Sequence, residues 1–99
     1  MKKIGNFEYD PNLIEKLCRE NNISYLALFG SYLHGDNNDK SDIDLLVKFS
    51  NPIGLIKLIG TEQQFENALG KAVDLLTEGF LSPYFKDEVL GEAQTLYKS

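Results

Sequence analysis

The amino-acid sequence predicts an α+β fold, a small mixed β-sheet flanked by helices, and three observations carry that prediction. Three short runs of strand formers occur, at 23–29 (ISYLALF), 43–49 (IDLLVKF) and 72–77 (AVDLLT), and between and around them apolar residues recur at helical spacing. One short polar connection joins the first two strand runs, whereas a helix-length stretch precedes the third. With 99 residues, 42% of them hydrophobic and 25% charged, the chain has the size and composition of one globular domain, residues 1–99.

The elements follow in order. Asp10-Pro11 is a helix start, because aspartate caps the first free amides and proline at the first helical position loses no needed donor. Leu13, Ile14, Leu17 and Cys18 form one apolar stripe and Asn21-Asn22 ends it, so a helix is expected over roughly 10–21. Cys18 lies on that stripe and reads as a core residue. The run 23–29 is apolar on both alternating faces, as in a strand covered on both sides. It ends at Gly30-Ser31, after which residues 35–41 are turn formers. In the second strand Ile43, Leu45, Val47 and Phe49 share one face, while Asp44, Leu46 and Lys48 share the other. Ser50-Asn51-Pro52 breaks the chain, and apolar periodicity over 53–69 predicts a helix closed by Gly70. The third strand carries Asp74 among apolar neighbours. Ser82-Pro83 repeats the cap-and-proline signal for a last helix reaching about Ala93, with Tyr84, Phe85 and Tyr97 expected to pack it.

Composition excludes several function classes. Ten basic against fifteen acidic side chains, a net charge of −5, argue against direct binding along nucleic-acid phosphates. A single cysteine rules out an internal disulfide and a multi-cysteine zinc site. No apolar stretch approaches the ~18 residues of a membrane span and the first residues lack the apolar run of a signal peptide, so a cytoplasmic protein is expected.

The chemistry concentrates between residues 29 and 49. In an extended chain Asp42 and Asp44 point to one face about 6.5–7 Å apart. Two such carboxylates repel unless a cation sits between them or one takes a proton. Magnesium, a hard ion that combines one or two carboxylates with substrate phosphates, suits them. Asp74, isolated among apolar residues, should face a cleft or a partner, because burying an unpaired charge is costly. A calcium loop starting at Asp36 fails, since its sixth position is Ser41 and its twelfth Val47. Gly30 lets a ligand approach the backbone, and the Ser31 hydroxyl can donate to a phosphate oxygen, the more so if a short helix begins at Ser31. Neither a Walker lysine pattern nor G-x-G-x-x-G is present.

Gly30-Ser31, ten intervening residues and Asp42-Ile43-Asp44 resemble the G-S-x10-D-x-D signature of the DNA polymerase β-like nucleotidyltransferases. The wider LFGSYLHGDNNDKSDIDLLVKF, the AVDLLTE segment with Asp74 and a final LSPYFKDEVLGEAQTLY helix are similar to the minimal nucleotidyltransferases, so the resemblance covers most of the chain. It implies the polymerase β-like fold and transfer of a nucleoside monophosphate from a triphosphate, most plainly AMP from ATP, to a hydroxyl. Asp42 and Asp44 would then hold two magnesium ions, Asp74 would share one and help activate the hydroxyl, and Gly30 and Ser31 would grip the triphosphate. Minimal members accompany a HEPN-type toxin, and some act as its antitoxin by transferring AMP to a toxin tyrosine. The alternative within the resemblance is a non-catalytic antitoxin that neutralises its partner by binding, and a further one is a small-molecule hydroxyl as acceptor. Related sequences have a G-S-x-x-R-G pattern, where this chain has His34, a weaker phosphate clamp than arginine. Lys48 either lies on the surface or reaches the triphosphate, Tyr32 either lines the nucleotide site or does not, and Asp36 and Asp39 either only solvate their loop or also bias the site towards cations.

Overall fold

The computed structural model describes every residue except Ser82 and Phe85, with Phe80 described by its backbone alone. Among the described residues, eleven elements follow one another. An antiparallel hairpin of β1 (Lys2–Ile4) and β2 (Phe7–Tyr9) leads into α1 (Pro11–Glu20), β3 (Ile23–Phe29), the one-turn helix α2 (Ser31–His34) and β4 (Ile43–Phe49). Then come α3 (Leu55–Leu69), β5 (Val73–Leu76), a 3-10 turn at Glu78–Phe80, α4 (Lys86–Glu92) and β6 (Gln94–Lys98).

The main sheet has the order β5-β4-β3-β6. Strand β3 pairs antiparallel with both β4 and β6, and β4 pairs parallel with β5 across the α3 connection, so the sheet is mixed. Ile43, Leu45 and Val47 of β4 and Val73 and Leu75 of β5 lie in the core with Ile14, Leu17 and Cys18 of α1 and Leu58 and Phe65 of α3. Leu26, Ala27 and Leu28 of β3 are inaccessible to solvent, the outcome expected of a central strand apolar on both faces. Helix α1 starts as its sequence dictates: the Asp10 carboxylate accepts the Asn12 amide at 3.0 Å and Pro11 fills the first turn. Burial pushes the Cys18 thiol up to about 12, so it is an inert packing group. Where α1 meets α3, buried Asn21 is satisfied on both sides of its amide. Its Nδ2 donates to the Leu17 carbonyl (2.8 Å) and to Gln64 Oε1 (3.0 Å), and its Oδ1 accepts from the Thr61 hydroxyl (3.3 Å).

Two segments depart from expectation. Residues 2–9 form a hairpin that the sequence reading left unassigned, closed by Gly5 at φ 58°. The final helix, extended by resemblance to residue 97, stops at Glu92, and Gln94–Lys98 is instead an edge strand. The physical reason is the second edge of β3: its row of amides and carbonyls needs a partner, and Thr95, Leu96 and Tyr97 are strand formers. Tyr97 therefore packs against the core from β6 and not from a helix. Tyr84 is 92% exposed ahead of α4. The expected helix start at Ser82 and the packing role of Phe85 lie outside the described residues.

Candidate active site

Strand register brings the acids together. Asp44 on β4 sits opposite Asp74 on β5 in the parallel ladder, and opposite Phe29, the last residue of β3, in the antiparallel one. Neighbouring strands lie about 4.8 Å apart, so Asp44 and Asp74 rise side by side from one face of the sheet. Asp42 comes one residue before β4 and, by the period of two, on the same face as Asp44. The register is held by burial: a one-residue slip would drive Asp44 into the core and bring Ile43 and Leu45 out. Sequence pattern alone placed the three acids at strand starts; the pairing of Asp44 with Asp74 needed the ladder.

Gly30 supplies the opposite wall. It adopts φ 78° and ψ −154°, a region open to glycine and strained for other residues. A β-carbon there would land on the Asp44 carboxylate, so only glycine lets the β3–α2 turn close against that acid. The Gly30 carbonyl accepts the amides of Leu33 (3.1 Å) and His34 (3.2 Å), and Gly35 at φ 79° closes α2 one turn later. Ser31 opens that turn, half-buried, with Asp44 across the glycine.

The electrostatics follow from this crowding. Burial first, and then the charges of Asp74 and Asp42, push the Asp44 carboxyl from the usual 3.8 up to about 6. Such a cluster of hard oxygen donors, short of positive charge, fits a magnesium ion. Among the described residues, no group of three His, Cys, Asp or Glu side chains is set to hold a metal ion by itself.

The other candidates are placed elsewhere. His34 Nε2 lies 3.0 Å from Glu92 Oε2, tying α2 to the end of α4. Lys48 pairs with Glu78 at 3.0 Å and lies over the Tyr25 ring, four residues along β4 from Asp44 and turned to other partners. Tyr32 is buried edge-on against Phe7, with the Lys71 ammonium 5.8 Å from its ring centroid. Asp36 and Asp39 are exposed in their loop.

Two residues of the site's support were not singled out from sequence. Glu66 Oε2 accepts the Val73 amide and Glu62 Oε2 the Leu75 amide, each at 3.0 Å, bracketing Asp74. The available signal was a pair of glutamates at i, i+4 on α3 with no lysine or arginine within reach on that helix face. A cleft of about 430 Å³ lined by Lys3, Asn6, Tyr32, Ile43 and Lys71 opens at this same end of the sheet. A larger one, about 660 Å³, lies at the far end of β4 between Phe49, Pro52, Ile53 and Leu58, away from the acids.

Comparison with known proteins gives consistent relatives. Residues 12–99 match the model of the polymerase beta nucleotidyltransferase family. The protein adenylyltransferase MntA of Thermococcus cleftensis is 37% identical over 67 residues, 68% of each chain. A Methanocaldococcus jannaschii chain provisionally named a protein adenylyltransferase is 36% identical over 91 residues, 90% of this chain and 93% of that one. Among solved structures, a chain of a toxin–antitoxin crystal structure with AMP-PNP superposes with a TM-score of 0.76 at 29% identity, covering 92% of this chain and 75% of that one. A chain from the structure of tri-AMPylated Shewanella oneidensis HEPN toxin with MNT antitoxin gives 0.67 at 28% identity, covering 90% and 70%.

Proposed function

The chain belongs to the polymerase beta nucleotidyltransferase family, and on that premise we propose that it is a magnesium-dependent protein adenylyltransferase. It moves AMP from ATP to a tyrosine hydroxyl of a HEPN-type toxin and so acts as that toxin's antitoxin. The observation that carries this reading is the in-register pair Asp44–Asp74 with Gly30 closed against the Asp44 carboxylate. It places a cation-demanding acid pair beside a turn that only glycine can make, the two halves that a magnesium-bound triphosphate requires. One domain, residues 1–99, carries the function, and the acceptor comes from the partner.

Asp42, Asp44 and Asp74 are the residues that would hold magnesium, which supplies charge neutralisation on the triphosphate and acidity to the bound hydroxyl. Gly30 and Ser31 hold the polyphosphate through turn amides and the serine hydroxyl. Asp74, near the start of the edge strand, would orient the incoming hydroxyl and draw off its proton. The tyrosine oxygen forms a bond to the α-phosphorus, the bond from that phosphorus to the bridging oxygen breaks, and pyrophosphate leaves with the electron pair. His34 is engaged with Glu92 at 3.0 Å. Among the described residues no helix is long and apolar enough to cross a membrane, which is consistent with a cytoplasmic reaction.

Incubation with ATP, magnesium and the partner toxin, followed by intact mass spectrometry, should show an AMP-sized increment on the toxin. Asp42→Ala/Asp44→Ala should abolish it. An unmodified toxin in the presence of the parent chain would refute the enzyme. Neutralisation surviving the double substitution would favour an antitoxin that works by binding.

A further inference from the structure

Helix α2 has a single turn, is bounded by glycines at both ends, and cannot hold its own position. It is held by β3 and β4, by the His34–Glu92 contact and by the N-terminal hairpin, which lies outside the residues matched by the family model. The Asn6 amide donates to the Tyr32 carbonyl at 2.8 Å, one of the C-terminal carbonyls that a short helix leaves without a partner. The Asn6 side chain donates through Nδ2 to Asn37 Oδ1 at 2.9 Å, pinning the segment that follows α2. Gly5 at φ 58° brings its backbone onto the same turn, and a β-carbon there would strike the main-chain oxygens of Tyr32 and Leu33. Phe7 completes the contact, its ring edge-on to Tyr32 at 6.4 Å between centroids. At its other end α2 begins at the turn closed against Asp44.

We propose that the Gly5–Asn6 turn of the hairpin is a positioning element for nucleotide binding: it caps α2 from behind and sets the Gly30–Ser31 turn against Asp44. The proposal rests on the reading that Gly30 and Ser31 hold the triphosphate. Neither hairpin residue takes part in phosphoryl transfer; they act through α2. Loosening the cap therefore weakens the hold on ATP and leaves the chemical step at saturating ATP nearly intact.

The test is calorimetric binding of AMP-PNP with magnesium to the full chain, together with KM for ATP and kcat in toxin modification. Gly5→Ala should weaken binding about tenfold and raise KM in parallel, with kcat within about twofold of the parent. Asn6→Ala, an exposed substitution that the fold tolerates, should weaken binding about threefold. It decides the matter if Gly5→Ala does not fold. Ile14→Val, which destabilises the core of α1 away from α2, serves as the control and should bind as the parent does. Parent-like affinity in both hairpin variants, or an equal loss in Ile14→Val, would overturn the positioning role while leaving the nucleotide site standing. Absence of AMP-PNP binding by the parent chain would remove the nucleotide reading and this inference together.

Discussion

Asp44 is held at a cost to the fold that a bound cation would relieve. Its carboxyl titrates at about 6 because burial and then Asp74 and Asp42 oppose its charge. The native chain thus binds this proton more tightly than the unfolded one. The group's contribution to stability is complete below the unfolded value of 3.8 and is lost as pH rises through about 6. The full shift corresponds to about 3 kcal/mol, and partial solvent access brings the expected effect to about 1 kcal/mol. Asp44→Asn should therefore melt above the parent at pH 8 in EDTA, with the advantage fading towards pH 4, while toxin modification is lost. Melting curves that coincide at every pH would contradict the electrostatic account. Gly30→Ala should fail differently, losing at least about 1 kcal/mol through strain at φ 78° and contact with the Asp44 carboxylate. At this scale Gly30, Ser31, Asp42, Asp44 and Asp74 stand out in the sequence as candidates, because each is a chemically unusual residue at a strand boundary. The opposition of Asp44 to Asp74 was not, since a ladder register between segments thirty residues apart leaves no local mark.

Among the elements, β5 carries Asp74 on the edge of the sheet with only β4 beside it. An edge strand presents unpaired amides, and here Glu66 and Glu62 of α3 accept those of Val73 and Leu75. The residue between those two amides is Asp74, so the helix clamps the strand on either side of that acid. Glu62→Ala/Glu66→Ala should release both amides to faster hydrogen exchange and cost about 1–3 kcal/mol, with activity falling more than stability at a temperature where the variant remains folded. Unchanged exchange at Val73 and Leu75 would show that the side chains contribute nothing to the edge. The two missed elements share a cause with this clamp. The hairpin strands are three residues each, and β6 reads as helix continuation until the open edge of β3 is known. Their conformations are set by partners distant in sequence, which local propensity does not encode. Helix α1 and strands β3 and β4, by contrast, were readable because capping, periodicity and two-sided apolarity are local signals.

Across the whole molecule, the acids, the glycine turn and the hairpin brace gather at one end of a sheet in a chain with a net charge of −5. Folding brings like charges together there, where Asp74 and Asp42 oppose the charge of Asp44. Magnesium and triphosphate should then bind as a unit, each supplying what the other lacks: the ion offsets the carboxylates, and the phosphates provide its remaining oxygens. Ligands that bind only the native chain raise its stability, by about 2.7 kcal/mol at a hundredfold excess over Kd. For a domain of this length that is a rise in Tm of about 10–20 °C. Magnesium with AMP-PNP should produce a shift of that order, either component alone only a small part of it, and EDTA should reverse it. The Asp42→Ala/Asp44→Ala chain should show no such synergy. A shift as large with magnesium alone would mean that the three carboxylates form a preorganised cation site. No shift with both would mean that this end of the sheet does not receive a nucleotide.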